Sequence, residues 1–246
     1  MILKEKNIST NDNNKQKRII KNTVMLYFRM ILLVFIGLYT SRIILKGLGF
    51  EDFGIYNVIG GFVSMIGFLN SSLSGASARF ITFDLGKNDL SELKRTFRCA
   101  VSIHYLLAVF LFLLAETIGL WFFYNKLIIP IEKMNEAFWV YQCSVLTILI
   151  SIISAPYNSL IIAHEKMGAF AYISILEVMA KLVIAFAITH IANYKLSIYA
   201  FLILSVQICI RILYSCYCSK NFPETSWIWL WDKKNQKRFL VTQVGL

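Results

Sequence analysis

Apolar positions along the chain fall into long blocks separated by short polar turns, and each block is about as long as a bilayer is thick. A helix needs about 20 mainly apolar residues to cross roughly 30 Å of hydrocarbon. Six segments meet that requirement: 23–45, 54–81, 97–124, 138–163, 169–192 and 196–219. The second is diluted by the run from Asn70 to Ser77, yet Gly67, Ser71 and Gly75 recur every four residues, as do Gly60 and Ser64. That small-xxx-small spacing lets membrane helices approach closely, so this span is expected to be buried inside the bundle. The connecting loops are short, which predicts antiparallel neighbours. The pattern predicts an all-α, polytopic transmembrane helical bundle of six spans.

Smaller signals refine these elements. Asp89, with Glu92 three residues later, reads as the start of a helix. Pro156 falls inside the fourth span, where it removes one backbone hydrogen bond and favours a bend. The first block is too long for a signal-peptide core and no small-residue cleavage site follows it, so it is expected to stay in the mature protein. Four regions follow: a basic tail over 1–22, the six-helix lobe over 23–219, an interfacial linker over 220–238, and the beginning of a seventh span over 239–246. The linker carries Trp227, Trp229 and Trp231 ahead of Asp232-Lys233-Lys234, a mixture suited to the membrane interface.

Composition supports a membrane solvent. Of 246 residues, 57% are hydrophobic and 16% charged, and mean hydropathy is +0.62, whereas soluble domains carry about 25% charged residues. A net charge of +11 would suit nucleic acid, but the distribution of the cations argues otherwise. Seventeen Lys and Arg residues lie on one side of the proposed topology and five on the other. By the positive-inside rule both termini face the cytoplasm of a cytoplasmic (inner) membrane, and no nucleic-acid partner is expected. The five cysteines form no ligand spacing and read as small hydrophobes.

Charged groups inside spans are costly and usually face a cavity or a partner. Five stand out: Arg29, Glu116, Glu177, Lys181 and Arg211. Arg29 shares a helical face with Asn22 and Thr40, and Gln207 lies one turn from Arg211, giving faces that read as hydrated. Arg29, Lys181 and Arg211 are candidates to draw an anionic group such as phosphate into a cavity, with Asn22 and Gln207 beside them. Alternatively, Arg29 and Arg211 snorkel to the nearby interface. Glu177 and Lys181 stand at i and i+4 in the favourable order for an ion pair, and Glu177 is otherwise a candidate for ion coupling. Glu116 has no evident local partner; it reads either as a protonatable coupling group or as a residue near the outer water surface.

Enzyme signatures are missing. His164-Glu165-Lys166-Met167-Gly168 begins like the zinc motif H-E-x-x-H but has glycine in place of the second ligand. Ser91-Glu92-Leu93-Lys94 matches S-x-x-K without its companion motifs. There is no Gly-rich phosphate loop. No enzyme activity, cofactor or metal is expected, and the single residues His104 and His190 read as structural.

Sequence resemblance adds a family. Lys21-Asn22-Thr23, Leu26-Tyr27 with Arg29, Leu38-Tyr39-Thr40-Ser41-Arg42 and Leu48-Gly49-Phe50-Glu51-Asp52-Phe53-Gly54-Ile55-Tyr56-Asn57-Val58-Ile59-Gly60-Gly61 are similar to lipopolysaccharide and capsular polysaccharide biosynthesis proteins. Arg79 to Lys87, Trp139 to Cys143 and Ile161 to Met167 resemble the same group, the flippase-like branch of the superfamily that includes the MATE multidrug exporters. The resemblance implies a two-lobe protein that moves a lipid-linked oligosaccharide across the membrane by alternating access. This chain would supply the first lobe, a fragment inactive alone and in need of a second lobe or a dimer partner. The alternatives are a MATE-type cation-coupled multidrug exporter, which would more often present an acidic cavity, and a membrane scaffold whose intramembrane charges are locally paired.

Overall fold

The computed structural model describes residues 2–87, 89–191 and 194–225, with the side chains of 2–19, 21, 22, 66 and 69 outside that description. The described residues form helices and turns only. The expected interfacial tryptophans and seventh span lie outside the described residues. Among the described residues there are eight α-helices: α1 (Ile2–Leu48), α2 (Phe50–Ile66), α3 (Phe68–Gly86), α4 (Leu90–Leu114), α5 (Leu120–Lys126), α6 (Met134–Ala163), α7 (Met167–Ile188) and α8 (Lys195–Asn221). A π-helical turn, Ala115–Gly119, joins α4 to α5.

Among the described residues five continuous helical segments are long and apolar enough to cross a membrane: Thr23–Leu48, Leu90–Lys126, Ile131–Ala163, Met167–Ile188 and Lys195–Asn221. α2 and α3 pass the same test only as a pair, bent by 49° where they meet, which brings the number of crossings to six if the pair is one span. The chain is thus a multi-pass, all-helical membrane protein. One end of the bundle holds the α3–α4 and α6–α7 turns and is called the basic end below; the other is the far end.

Burial identifies the axis of the bundle. Half of the most apolar window of α6 is buried against only 6% of that of α1, so α6 is central and α1 peripheral. α6 packs on α8, α3, α4 and α2, while α1 leans mainly on α7. Ile59, Phe123, Val140, Tyr141, Ile152, Ile188 and Leu196 are fully enclosed in the main core. Phe35, Leu38 and Val183 are more than half exposed, as suits side chains solvated by lipid. A methyl on Gly47 would come within 2.6 Å of Ile188 Cγ2, so glycine sets how near α1 comes to α7. Gly49, at φ 86°, turns the chain from α1 into α2 in a conformation other residues rarely adopt.

The second span departs from expectation. It is not buried through its small residues: a Cβ on Gly60, Gly61 or Gly75 would meet nothing within 4 Å, and Ser64 and Ser71 are exposed. Of the residues in that spacing only Gly67 packs closely, with Ile148 Cδ1 2.8 Å from its Cβ position; Ser77, outside the spacing, is also fully buried. The physical reason is which edge meets α6: α2 and α3 both pack on it and bury Ile55, Ile59, Val63, Leu73 and Ile81, which turns their small, polar edge outward. There Asn57, Ser64, Ser71 and Thr82 return hydrogen bonds to their own helices at 2.7–3.0 Å.

Side chains fasten both ends. At the far end Lys133 Nζ lies 3.1 Å from Asp52 and 3.5 Å from Glu136, and Lys195 donates to the Gly47 carbonyl at 3.2 Å. At the basic end Asp89 caps α4, accepting from the Ser91 and Glu92 amides at 2.9 and 3.3 Å, while the Glu92 carboxylate takes Lys87 at 3.1 Å. The Ser91 hydroxyl and these two amides hold the Asp89 carboxyl below its usual pKa. Its contribution is therefore present above the ordinary carboxylate range and lost as pH falls through the depressed value. Asp89→Ala is expected to lower the melting temperature in detergent at neutral pH, with the difference shrinking in acid; Asp89→Asn, which still caps, should recover most of the loss. Pro156 sits within α6, and the helix runs unbroken through it.

Candidate functional site

Two guanidinium groups lie within the helical layer, in its basic half. α7 presents Phe170 and Ser174 one turn apart on one face. The Ser174 hydroxyl donates back to the Phe170 carbonyl at 2.8 Å, which leaves its oxygen free to accept from Arg29 Nη1 on α1 at 2.9 Å. The same guanidinium lies 4.4 Å above the Phe170 ring centroid. Arg211, on α8, lies 4.0 Å above the ring of Tyr157 on α6. Tyr214, one turn beyond Arg211, is buried beside Ser174.

Neither arginine is fully satisfied. Arg29 Nε and Arg211 Nη1 are buried and have no hydrogen-bond partner. A ring face returns about 0.5–2 kcal/mol to a cation, which is less than burying an unpaired charged donor costs. Each group thus has a donor open to a further acceptor, and a planar guanidinium fork is a shape that suits phosphate or carboxylate oxygens.

The other candidates are placed as follows. Lys181 Nζ lies 2.6 Å from Glu177 Oε1, an i,i+4 pair that neutralises both charges locally. Gln207 is 9% exposed, so it is enclosed rather than facing open water. Thr40 is likewise buried, and its hydroxyl has no partner. The Asn22 side chain lies outside the described residues.

Glu116 occupies the π-helical turn, a feature that often accompanies functional sites. Here the sequence missed two partners. Gln142 Nε2, on α6, reaches Glu116 Oε2 at 3.3 Å, and the Tyr141 hydroxyl donates to the Ala115 carbonyl at 2.8 Å. Gly119 provides the room: a methyl there would overlap the Tyr141 hydroxyl. Glu116 Oε1 is buried without a partner. The signal available in the sequence was a glycine three residues after an acid in an otherwise apolar span.

Two further polar contacts were not anticipated. His164 Nε2 bonds the Glu224 carboxylate, which is 1% exposed, and its ring stacks on Phe222 with centroids 4.2 Å apart. The α6–α7 turn is thereby tied to the segment after α8. His104, on α4, bonds the Ala100 carbonyl through Nδ1 at 2.8 Å, while its Nε2 is buried and unpartnered. Among the described residues no group of three His, Cys, Asp or Glu is placed to hold a metal ion.

No family model matches the chain, and neither a curated protein nor a solved structure is significantly similar to it.

Proposed function

We propose that this bundle is one lobe of a membrane transporter of the oligosaccharide-flippase type, and that Arg29 and Arg211 hold the phosphate of a lipid-linked oligosaccharide. The observation that supports this reading is the pair of intramembrane guanidinium groups, each with a buried donor left open. A flippase must shelter a sugar phosphate from hydrocarbon while the lipid tail stays outside, and a cationic seam within a helical layer does so. Lys181 contributes less than the arginines because Glu177 holds it.

The exposed polar edge of α2 and α3 supports the same reading from another direction. Polar groups facing hydrocarbon are disfavoured, so an edge carrying Asn57, Ser64, Ser71 and Thr82 fits a water-filled cavity shared with a second lobe or a second copy. Alternating access needs one bundle to rock against another around a midplane site. Translocation is accordingly expected only when the lobe has such a partner. The inner membrane is the proposed location, with both termini cytoplasmic.

One observation favours a second reading. The open oxygen of Glu116 suits a proton- or cation-coupled multidrug exporter. Competition in detergent separates the two: a polyprenyl diphosphate is expected to displace a fluorescent phosphate lipid from the purified chain, while tetraphenylphosphonium leaves it in place. Binding of the organic cation alone would favour the exporter. For topology, Asn135→Cys is expected to react with an impermeant maleimide in intact cells, and Asn13→Cys only after permeabilisation; the reverse pattern would invert the orientation.

A further inference from the structure

A cavity of about 160 Å³ lies between α2, α6 and α8, in the far half of the bundle and away from the arginines. Tyr56, Gly60, Cys143, Ser144, Thr147 and Ala200 contribute to its wall, which contains no Asp, Glu, Lys, Arg or His. A charged ligand would find no counter-ion there. The volume is close to that of an apolar cavity of about 150 Å³ known to hold benzene in another protein.

The two aliphatic hydroxyls of this wall differ from their neighbours. Ser154, Ser205 and Thr117 all bond the carbonyl one turn back, at 2.7–2.9 Å. Ser144 and Thr147, one turn apart on the same face of α6, make no hydrogen bond to the described residues. Tyr56 adds an aromatic wall, held edge-on by Tyr199 with centroids 4.9 Å apart. Gly60 keeps the space clear, since a Cβ there would meet nothing within 4 Å.

We infer that this cavity binds a small, neutral, ring-sized amphiphile, an apolar body carrying one hydroxyl or ether that hydrogen-bonds to Ser144 and Thr147. Such a molecule partitions into lipid and needs no charged doorway. The site is independent of the phosphate reading.

Phenol and toluene are the probes, and Cys143 is the reporter. The purified 246-residue chain in detergent is treated with methyl methanethiosulfonate, and modification at each cysteine is followed by peptide mass spectrometry. Phenol is expected to slow modification of Cys143 saturably while leaving exposed Cys209 unchanged. Toluene should require about fivefold higher concentration, the worth of one neutral hydrogen bond. In Ser144→Ala/Thr147→Val that difference should vanish. Gly60→Leu, which fills the space, should make Cys143 slow without ligand and insensitive to phenol, whereas Gly54→Leu, also in open space, should behave as the parent. The inference fails if Cys143 does not react at all, if phenol slows Cys143 and Cys209 alike, or if protection persists in Gly60→Leu.

Discussion

Replacing Arg29 and Arg211 together by alanine is expected to weaken binding of a polyprenyl diphosphate by on the order of a thousandfold, and either replacement alone by roughly tenfold to a hundredfold. These figures follow from about 1.5–3 kcal/mol for each charged hydrogen bond, with tenfold in affinity per about 1.4 kcal/mol. The single substitutions are expected to couple rather than add strictly, because both groups are proposed to hold the same phosphate, although they rest on different rings, Phe170 and Tyr157. Arg→Lys at either site should lose most of the same affinity although it keeps the charge, since ammonium cannot present the planar fork. Fluorescent-lipid displacement in detergent measures this directly. Full affinity in both lysine variants would mean that the arginines reach toward the interface and hold no phosphate.

Gly119→Ala is expected to destabilise the bundle by about 1–3 kcal/mol, the usual cost of overpacking, because its methyl would overlap the buried Tyr141 hydroxyl. Tyr141→Phe should cost about 1 kcal/mol, one hydrogen bond, since the Ala115 carbonyl still accepts from the Leu120 amide. Combining them should reverse the sign at position 119. With the hydroxyl gone, alanine meets only ordinary contacts and gains up to about 1 kcal/mol of helix propensity over glycine. Thermal unfolding of the four proteins in detergent gives the cycle; additive effects would show that the Tyr141 hydroxyl does not set the geometry of the π-helical turn.

Fold class was readable because a membrane span depends on the length and apolarity of one segment, which is local information. Thus α4 with its continuation, α6, α7 and α8 fall where the hydrophobic blocks place them. The orientation of the second span was not readable. Small residues at four-residue spacing are compatible with close packing and with an open polar edge, and the choice rests on which edge of α2 and α3 meets α6. The Glu177–Lys181 pair was legible because both partners share one helix. Arg29 with Ser174, Arg211 with Tyr157, Glu116 with Gln142 and His164 with Glu224 join residues far apart in sequence, and periodicity within single helices carries no information about them.

Native mass spectrometry of the chain purified from membranes in mild detergent addresses the central proposal most directly, because it weighs whatever occupies the arginine site. The expected result is a co-purified polyprenyl phosphate or diphosphate lipid that survives competition by bulk phospholipid and is absent from Arg29→Ala/Arg211→Ala. Bulk phospholipid alone, carried equally by the parent and the double variant, would contradict it.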